Sequence, residues 1–282
     1  MTFRRFWLAQ LARNCSQVQC LRNLRFQGRT QDLPDGQAGK NPMTRRKRNT
    51  KSVLADSARS DLPAVLFDLD GTLVDSNYEP VAAWSQALRS ADIIIPMWKV
   101  HRRIGMSSKS FLRELLREGL PGKRNPDLEQ LERKHDILFR RSIPRLAPLP
   151  GANNLLKHLS GNGIQIAIAT TGGRAQTFQL LRQIDIPESA VIVTGDDVEK
   201  AKPSPDVFVL ASEHLRIPIA ECIVVGDSPW DMLAACRKSA LGVALLSGGY
   251  GQEDLERAGA FRVYSDTADM FMHLEQLGLP GK

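Results

Sequence analysis

Apolar positions along this chain fall into two rhythms, and the rhythms occupy different stretches. Short, largely apolar runs stand at Ala64-Val65-Leu66-Phe67, Ile164–Ala169, Val191–Thr194, Cys222–Val225 and Val243–Leu246. They are too short for ordinary helices and read as buried strands. Amphipathic stretches alternate with the last four: Ala152–Leu159, Ala175–Gln183, Pro205–Leu215, Trp230–Arg237 and a closing helix near Ala268–Leu277. Strand alternating with helix predicts a doubly wound parallel α/β sheet. The gap between Phe67 and Ile164 is too long for one crossover and reads as helices. Val81, Trp84 and Leu88 recur at helical spacing, and Phe111, Leu112, Leu115 and Leu116 form a stripe behind Ser107-Ser108 with Gly119 beyond it. Asn125-Pro126 supplies a cap and a first-turn proline for a third helix, with Leu128, Leu131, His135, Leu138 and Phe139 on one face. Such stripes are core positions, and His135 inside one reads as a packing residue. The expected organisation is a core of residues 61–77 and 146–282, interrupted by a helical insert at 78–145.

Charge alters the picture only at the start of the chain. The net charge is +7 over 282 residues. Residues 1–60 hold 13 Lys/Arg against Asp32, Asp35 and Asp56, so the remainder is slightly acidic. This segment has no sustained apolar period and reads as a disordered basic extension. Arg45-Arg46-Lys47-Arg48 leaves open a nucleic-acid or localisation patch, and Met43 an alternative start. Phe6–Ala12 is a short, interrupted echo of a signal peptide, and the Arg-rich opening leaves mitochondrial import open. The body gives no reason to invoke nucleic acid, and no apolar run reaches membrane-spanning length. A cytoplasmic location is expected. Cys15, Cys20, Cys222 and Cys236 contain no Cys-x-x-Cys pair, which argues against a zinc site or a disulfide framework.

Chemistry concentrates where the predicted strands end. Ala64–Phe67 runs into Asp68-Leu69-Asp70-Gly71-Thr72. Ligands of open α/β sheets bind at the carboxyl ends of strands. Two carboxylates two residues apart leave the same side of an extended backbone, and they repel unless a cation or proton intervenes. A nucleophile or metal ligand beside an acid/base is the reading that follows. Ile164–Ala169 ends in Thr170-Thr171-Gly172-Gly173, where a hydroxyl suits a phosphate oxygen or a helix cap. Lys200-Ala201-Lys202-Pro203-Ser204-Pro205 offers two lysines beside prolines that launch a helix. Ile223-Val224-Val225-Gly226-Asp227-Ser228-Pro229-Trp230-Asp231 is again a strand running into acids, a hard-oxygen setting that suits Mg²⁺. Leu246–Gln252 is glycine-rich but lacks the dinucleotide fingerprint, and no Walker A pattern occurs. It reads as a flexible loop near the site.

Taken together, Asp68-Leu69-Asp70-Gly71-Thr72-Leu73-Val74-Asp75-Ser76, the strand ending in Thr170, Lys202-Pro203 and Gly226-Asp227-Ser228-x-x-Asp231 resemble, in order, the four motifs of the haloacid-dehalogenase-like hydrolases. The similarity covers about residues 64–278. It implies a helical cap in the insert and Mg²⁺-dependent hydrolysis of a small phosphorylated metabolite through an aspartyl-phosphate. Asp68 would be nucleophile, Asp70 acid/base, and Thr170 and Lys202 partners of the phosphoryl charge, with Thr171 and Lys200 as alternatives. Asp68, Asp70 and Asp227 would serve the metal, with Asp231 behind them. Three rivals remain: a sugar phosphomutase of the same superfamily, a dehalogenase, which Asp70 argues against, and a nucleic-acid binder resting on residues 1–60. In the related β-phosphoglucomutases a cap histidine twelve residues after the nucleophile helps gate transfer, and the matching position here is Pro80.

Overall fold

The computed structural model describes residues 62–105, 108–119 and 126–282. The basic extension and Asn125 lie outside these residues. Six parallel strands form one sheet: β1 (Ala64–Phe67), β2 (Ile166–Ala169), β3 (Val191–Val193), β4 (Cys222–Gly226), β5 (Leu241–Leu245) and β6 (Arg262–Tyr264), in the order β3-β2-β1-β4-β5-β6. This is the doubly wound α/β architecture the alternation predicts.

The central strands are covered on both faces, and side-chain alternation divides the core. From β1, Val65 and Phe67 join Ile166, Ile168, Ile223 and Val225 in one cluster, closed by Leu155 and Leu159 of α5 (Ala152–Gly161) and Met270 of α10 (Thr267–Met272). Ala64 and Leu66 face the opposite way, onto Phe208 and Ala211 of α7 (Asp206–Leu215) and Ala234 of α8 (Pro229–Cys236). α6 (Arg174–Leu180) follows β2.

Among the described residues, four α-helices lie between β1 and α5: α1 (Tyr78–Arg89), α2 (Met97–His101), α3 (Ser108–Gly119) and α4 (Leu128–Ser142). They bury an apolar cluster of their own, including Val81, Trp84, Leu88, Val100, Phe111, Leu112, Leu115 and Leu131. Phe139 from the same α4 stripe joins the sheet cluster instead, which ties the insert to the core.

Several boundaries differ from the sequence expectation. α4 starts at Leu128 with Asp127 as its cap, its Oδ1 accepting from the Gln130 N–H at 3.0 Å, so Pro126 precedes the helix. β6, α2 and α9 (Gln252–Arg257) were not expected from the apolar pattern. The last helix ends at Met272, and Leu274–Leu277 form a separate 3₁₀ turn. No helix among the described residues is long and apolar enough to cross a membrane.

Candidate active site

Strand register assembles the site. Phe67 pairs with both Ile168 and Val225, so the residues just past all three strands converge: Asp68, Thr170 and Asp227. The Asp68 N–H donates to Val225 O at 2.8 Å and the Thr170 N–H to Val193 O at 3.1 Å, which keeps both backbones in sheet geometry to that point. β1 and β4 flank the place where strand order reverses, the usual ligand crevice of such sheets.

Lys202 enters from the turn before α7. Its ammonium is buried, 2.7 Å from Asp68 Oδ1 and 2.8 Å from Asp231 Oδ1, with the Phe208 ring 4.7 Å away. Lys200, the alternative, is exposed. Thr171 is likewise turned aside: its hydroxyl donates to Gly105 O of the insert at 3.2 Å, whereas the Thr170 hydroxyl faces Asp70 Oδ2 at 3.4 Å.

Asp68, Asp227 and Asp231 bring ligand oxygens within 4.8 Å of one another. The Asp70 carboxylate stands outside that group. It accepts from the Ser76 hydroxyl at 2.6 Å and faces Thr170. The same-side expectation for Asp68 and Asp70 assumed an extended backbone, but β1 ends at Phe67 and the chain bends at Leu69, between the two acids, before turning through Gly71 at φ +70°. A side chain at Gly71 would collide with Asn77 as well as strain the backbone. Both acids still line one cavity.

Asp231 occupies the first turn of α8, where Ser228 and Asp231 form a reciprocal cap: the Ser228 hydroxyl donates to Asp231 Oδ2 at 2.5 Å and its N–H at 3.2 Å. A Cβ on Gly226 would overlap the Asp231 carboxyl, so only glycine lets the two segments approach this closely. Asp227 accepts from Asn77 Nδ2 at 2.7 Å and the Thr72 hydroxyl at 3.2 Å.

The electrostatics follow from burial. Burial drives the Asp68 carboxyl well above the usual carboxylate range; Lys202 pulls it back while Asp231 and Asp227 push it up. Burial, then the charge of Asp231, raises Asp227 to about 7, against the Asn77 hydrogen bond. Burial also raises Asp70, opposed by Ser76, Lys202 and Thr170. Burial alone would lower the Lys202 ammonium, but Asp231 and Asp68 outweigh it and hold it above the ordinary lysine value. Three buried carboxylates gather beside one ammonium, and the raised affinity of Asp68 and Asp227 for protons marks a site short of positive charge. That is a donor set of hard oxygens suited to a divalent cation.

A cavity of about 140 Å³ opens over these groups between core and insert. Asp68, Asp70, Thr170 and Asp227 form its floor; Trp84, Phe111 and His135 belong to its insert wall. The glycine-rich loop after β5 closes one side: His101 of α2 makes a 2.8 Å hydrogen bond to Gly248 O, and its ring stacks on Tyr78 and Tyr250 at 5.3 Å each.

Sequence reasoning gave no role to Ser76, Asn77 or Thr72. Asn77 stands at the start of α1, where asparagine ordinarily caps the helix, yet its amide makes no cap bond and goes to Asp227.

Parallel strands whose tips gather a buried lysine and a cluster of carboxylates under a helical insert define a doubly wound core with its chemistry at a strand-tip aspartate. The model of the haloacid dehalogenase-like hydrolases matches residues 62–237, and the chain belongs to that family. It is 32% identical over 171 residues to hexitol phosphatase A of Escherichia coli, covering 60% of this chain and 76% of that protein. It is 29% identical over 218 residues to β-phosphoglucomutase of Bacillus subtilis, covering 76% and 93%. A hydrolase of known structure from Pseudomonas syringae superposes with a TM-score of 0.71 at 45% identity, over 76% of this chain and 98% of that one.

Proposed function

We propose that the protein is a Mg²⁺-dependent phosphatase acting on a small phosphorylated metabolite through an aspartyl-phosphate on Asp68. The observation that carries this is the Asp68 carboxylate, paired with Lys202 at 2.7 Å at a strand tip and sharing a cavity with Asp70 and Thr170. The relatives named hexitol phosphatase and β-phosphoglucomutase support a phosphoester substrate of sugar size.

Asp68, Asp70 and Asp227 would hold the metal, with Asp231 fixed behind them by Lys202 and Ser228. Bound Mg²⁺ supplies charge neutralisation at the phosphoryl oxygens. Asp68 Oδ attacks phosphorus in line and the bond to the leaving oxygen breaks. Asp70, held by Ser76, gives its proton to that oxygen. The raised pKa of Asp70 suits this donation. Asp70 then takes a proton from the water that attacks phosphorus, and inorganic phosphate leaves with the Asp68 carboxylate restored. Lys202 and Thr170 balance charge on the transferring group, and the insert screens the reaction from bulk water.

The test is release of inorganic phosphate from a panel of phosphomonoesters, with Mg²⁺ and with EDTA. Metal-dependent release from at least one small phosphomonoester is expected. Absence of release across the panel, or undiminished release in EDTA, would overturn the proposal.

A further inference from the structure

The glycine-rich stretch after β5 includes Ser247-Gly248-Gly249-Tyr250, and its glycines are explained by what stands on either side. A Cβ on Gly248 would overlap the carboxylate and the backbone carbonyl of Asp227. Gly249 turns at φ +76°, and a Cβ there would overlap the Tyr78 hydroxyl and stand 3.3 Å from His101 Nε2. On the core side the loop is tied by the Ser247 hydroxyl, which donates to Gly71 O at 2.6 Å. On the insert side it is tied by His101, whose Nε2 lies 2.8 Å from Gly248 O. A carbonyl oxygen only accepts, so Nε2 carries the proton in this contact whatever the state of the other ring nitrogen. The rings of Tyr78 and Tyr250 hold the imidazole, with planes 7° and 28° from its own.

These contacts run in a line from the insert to the carboxylates. His101 grips Gly248 O, and Gly248 rests directly on Asp227. A ligand side chain held by its neighbours binds metal more tightly than one left to move. We infer that His101 is a positioning residue for the metal site: by pinning Gly248 against Asp227 it fixes the carboxylate offered to Mg²⁺, and so couples metal binding to the seating of the insert on the core. This rests on the metal assignment of the phosphatase reading. The coupling is reciprocal, since an insert that tightens metal binding when seated is itself seated more firmly by the metal.

The test measures Mg²⁺ binding by calorimetry with no phosphoester present. His101→Phe keeps an aromatic ring beside the two tyrosines and removes the donor. It should weaken Mg²⁺ binding roughly 3- to 10-fold, the scale of one hydrogen bond. His101→Gln, whose amide nitrogen reaches the Nε2 position without the ring, should recover most of the loss. In turnover, the His101→Phe defect should shrink as Mg²⁺ approaches saturation. Unchanged Mg²⁺ affinity in His101→Phe, with the effect confined to the KM of the phosphoester, would make His101 a substrate contact and overturn the inference. A loss that His101→Gln does not recover would assign the effect to ring packing and overturn it equally. The wild-type chain supplies a check that no folding defect can disturb. Adding Mg²⁺ should shift the ¹⁵N resonance of His101 Nε2 and slow exchange of its proton with solvent; no change in either refutes the coupling. A wild-type chain that binds no Mg²⁺ also loses this inference, while phosphate release still decides the phosphatase reading. A chain that shows the coupling yet releases no phosphate refutes the phosphatase reading alone.

Discussion

Lys202 Nζ stands 2.7 Å from Asp68 Oδ1, a salt bridge with both side chains almost wholly enclosed. Asp231 completes the pair from the other side at 2.8 Å. Removing one partner of a buried pair costs far more than the pair contributes, because the remaining charge is stranded. Lys202→Met strands three carboxylates. It is expected to lower stability by about 3–5 kcal/mol in chelator, measured by denaturant unfolding. A change of less than 1 kcal/mol would show that the carboxylates are neutralised by other means.

Asp68→Asn acts in the opposite sense on the fold. It removes one member of a crowded anionic group, so stability in chelator should hold or rise. Turnover should fall on the order of 10⁴-fold or more, since the nucleophile is gone. Phosphate release within tenfold of the parent would remove Asp68 from the mechanism.

Asp70 can be tested by leaving-group chemistry. An alkoxide needs a proton as it departs, and p-nitrophenolate does not. Asp70→Asn should therefore lose roughly 10²–10⁴-fold on an alkyl phosphate and much less on p-nitrophenyl phosphate. Equal losses on the two would deny Asp70 the acid role.

The pH dependence follows from Asp227. Its carboxyl is raised from 3.8 to about 7 by burial and then by Asp231. Between those values the folded chain holds a proton that the unfolded chain has released. Stability from this group is thus greatest at low pH and is lost as pH rises toward about 7. Mg²⁺ competes with that proton and offsets the loss. The gain in Tm on adding Mg²⁺ should be small near pH 5 and grow to a plateau above about pH 7, read by thermal melts with and without EDTA. A gain independent of pH would contradict this.

The legible part of the site was the part set by strand register. Here the apolar runs ending in Asp, Thr and Gly-Asp are strand tips, and parallel pairing brings the three together. What stayed hidden depends on turns and on single side chains. The chain bends at Leu69 between Asp68 and Asp70 and turns again through Gly71 at φ +70°, and a pattern of side-chain types carries no such angle. Asn77 serves Asp227, a residue 150 positions away, and no local spacing signals that pairing. β6 has three residues and α2 five, too few for any period to register. His135 sits in an apolar stripe and packs as the stripe requires, yet it also faces Asp136 and lines the cavity, which only the folded insert makes visible.

Hydrolysis should outpace phosphoryl transfer, and the argument turns on Pro80. A mutase must protect its phospho-enzyme from water while an intermediate turns round. In the related β-phosphoglucomutases a histidine twelve residues after the nucleophile helps gate that step. Pro80 holds the matching position and lines the cavity, with no side-chain donor or acceptor to offer. Its polar neighbours are committed or turned away: Asn77 to Asp227, Tyr78 to the His101 ring, and Glu79 to solvent. His101 itself is fixed on Gly248 O. With nothing in that position to hold the acid/base back, water should reach the proposed aspartyl-phosphate as soon as the leaving group departs. A phosphorus-31 NMR time course with β-glucose 1-phosphate and a bisphosphate primer should show inorganic phosphate forming faster than glucose 6-phosphate. The reverse order would reassign the chain to transfer, and Pro80→His should then raise the transfer share further.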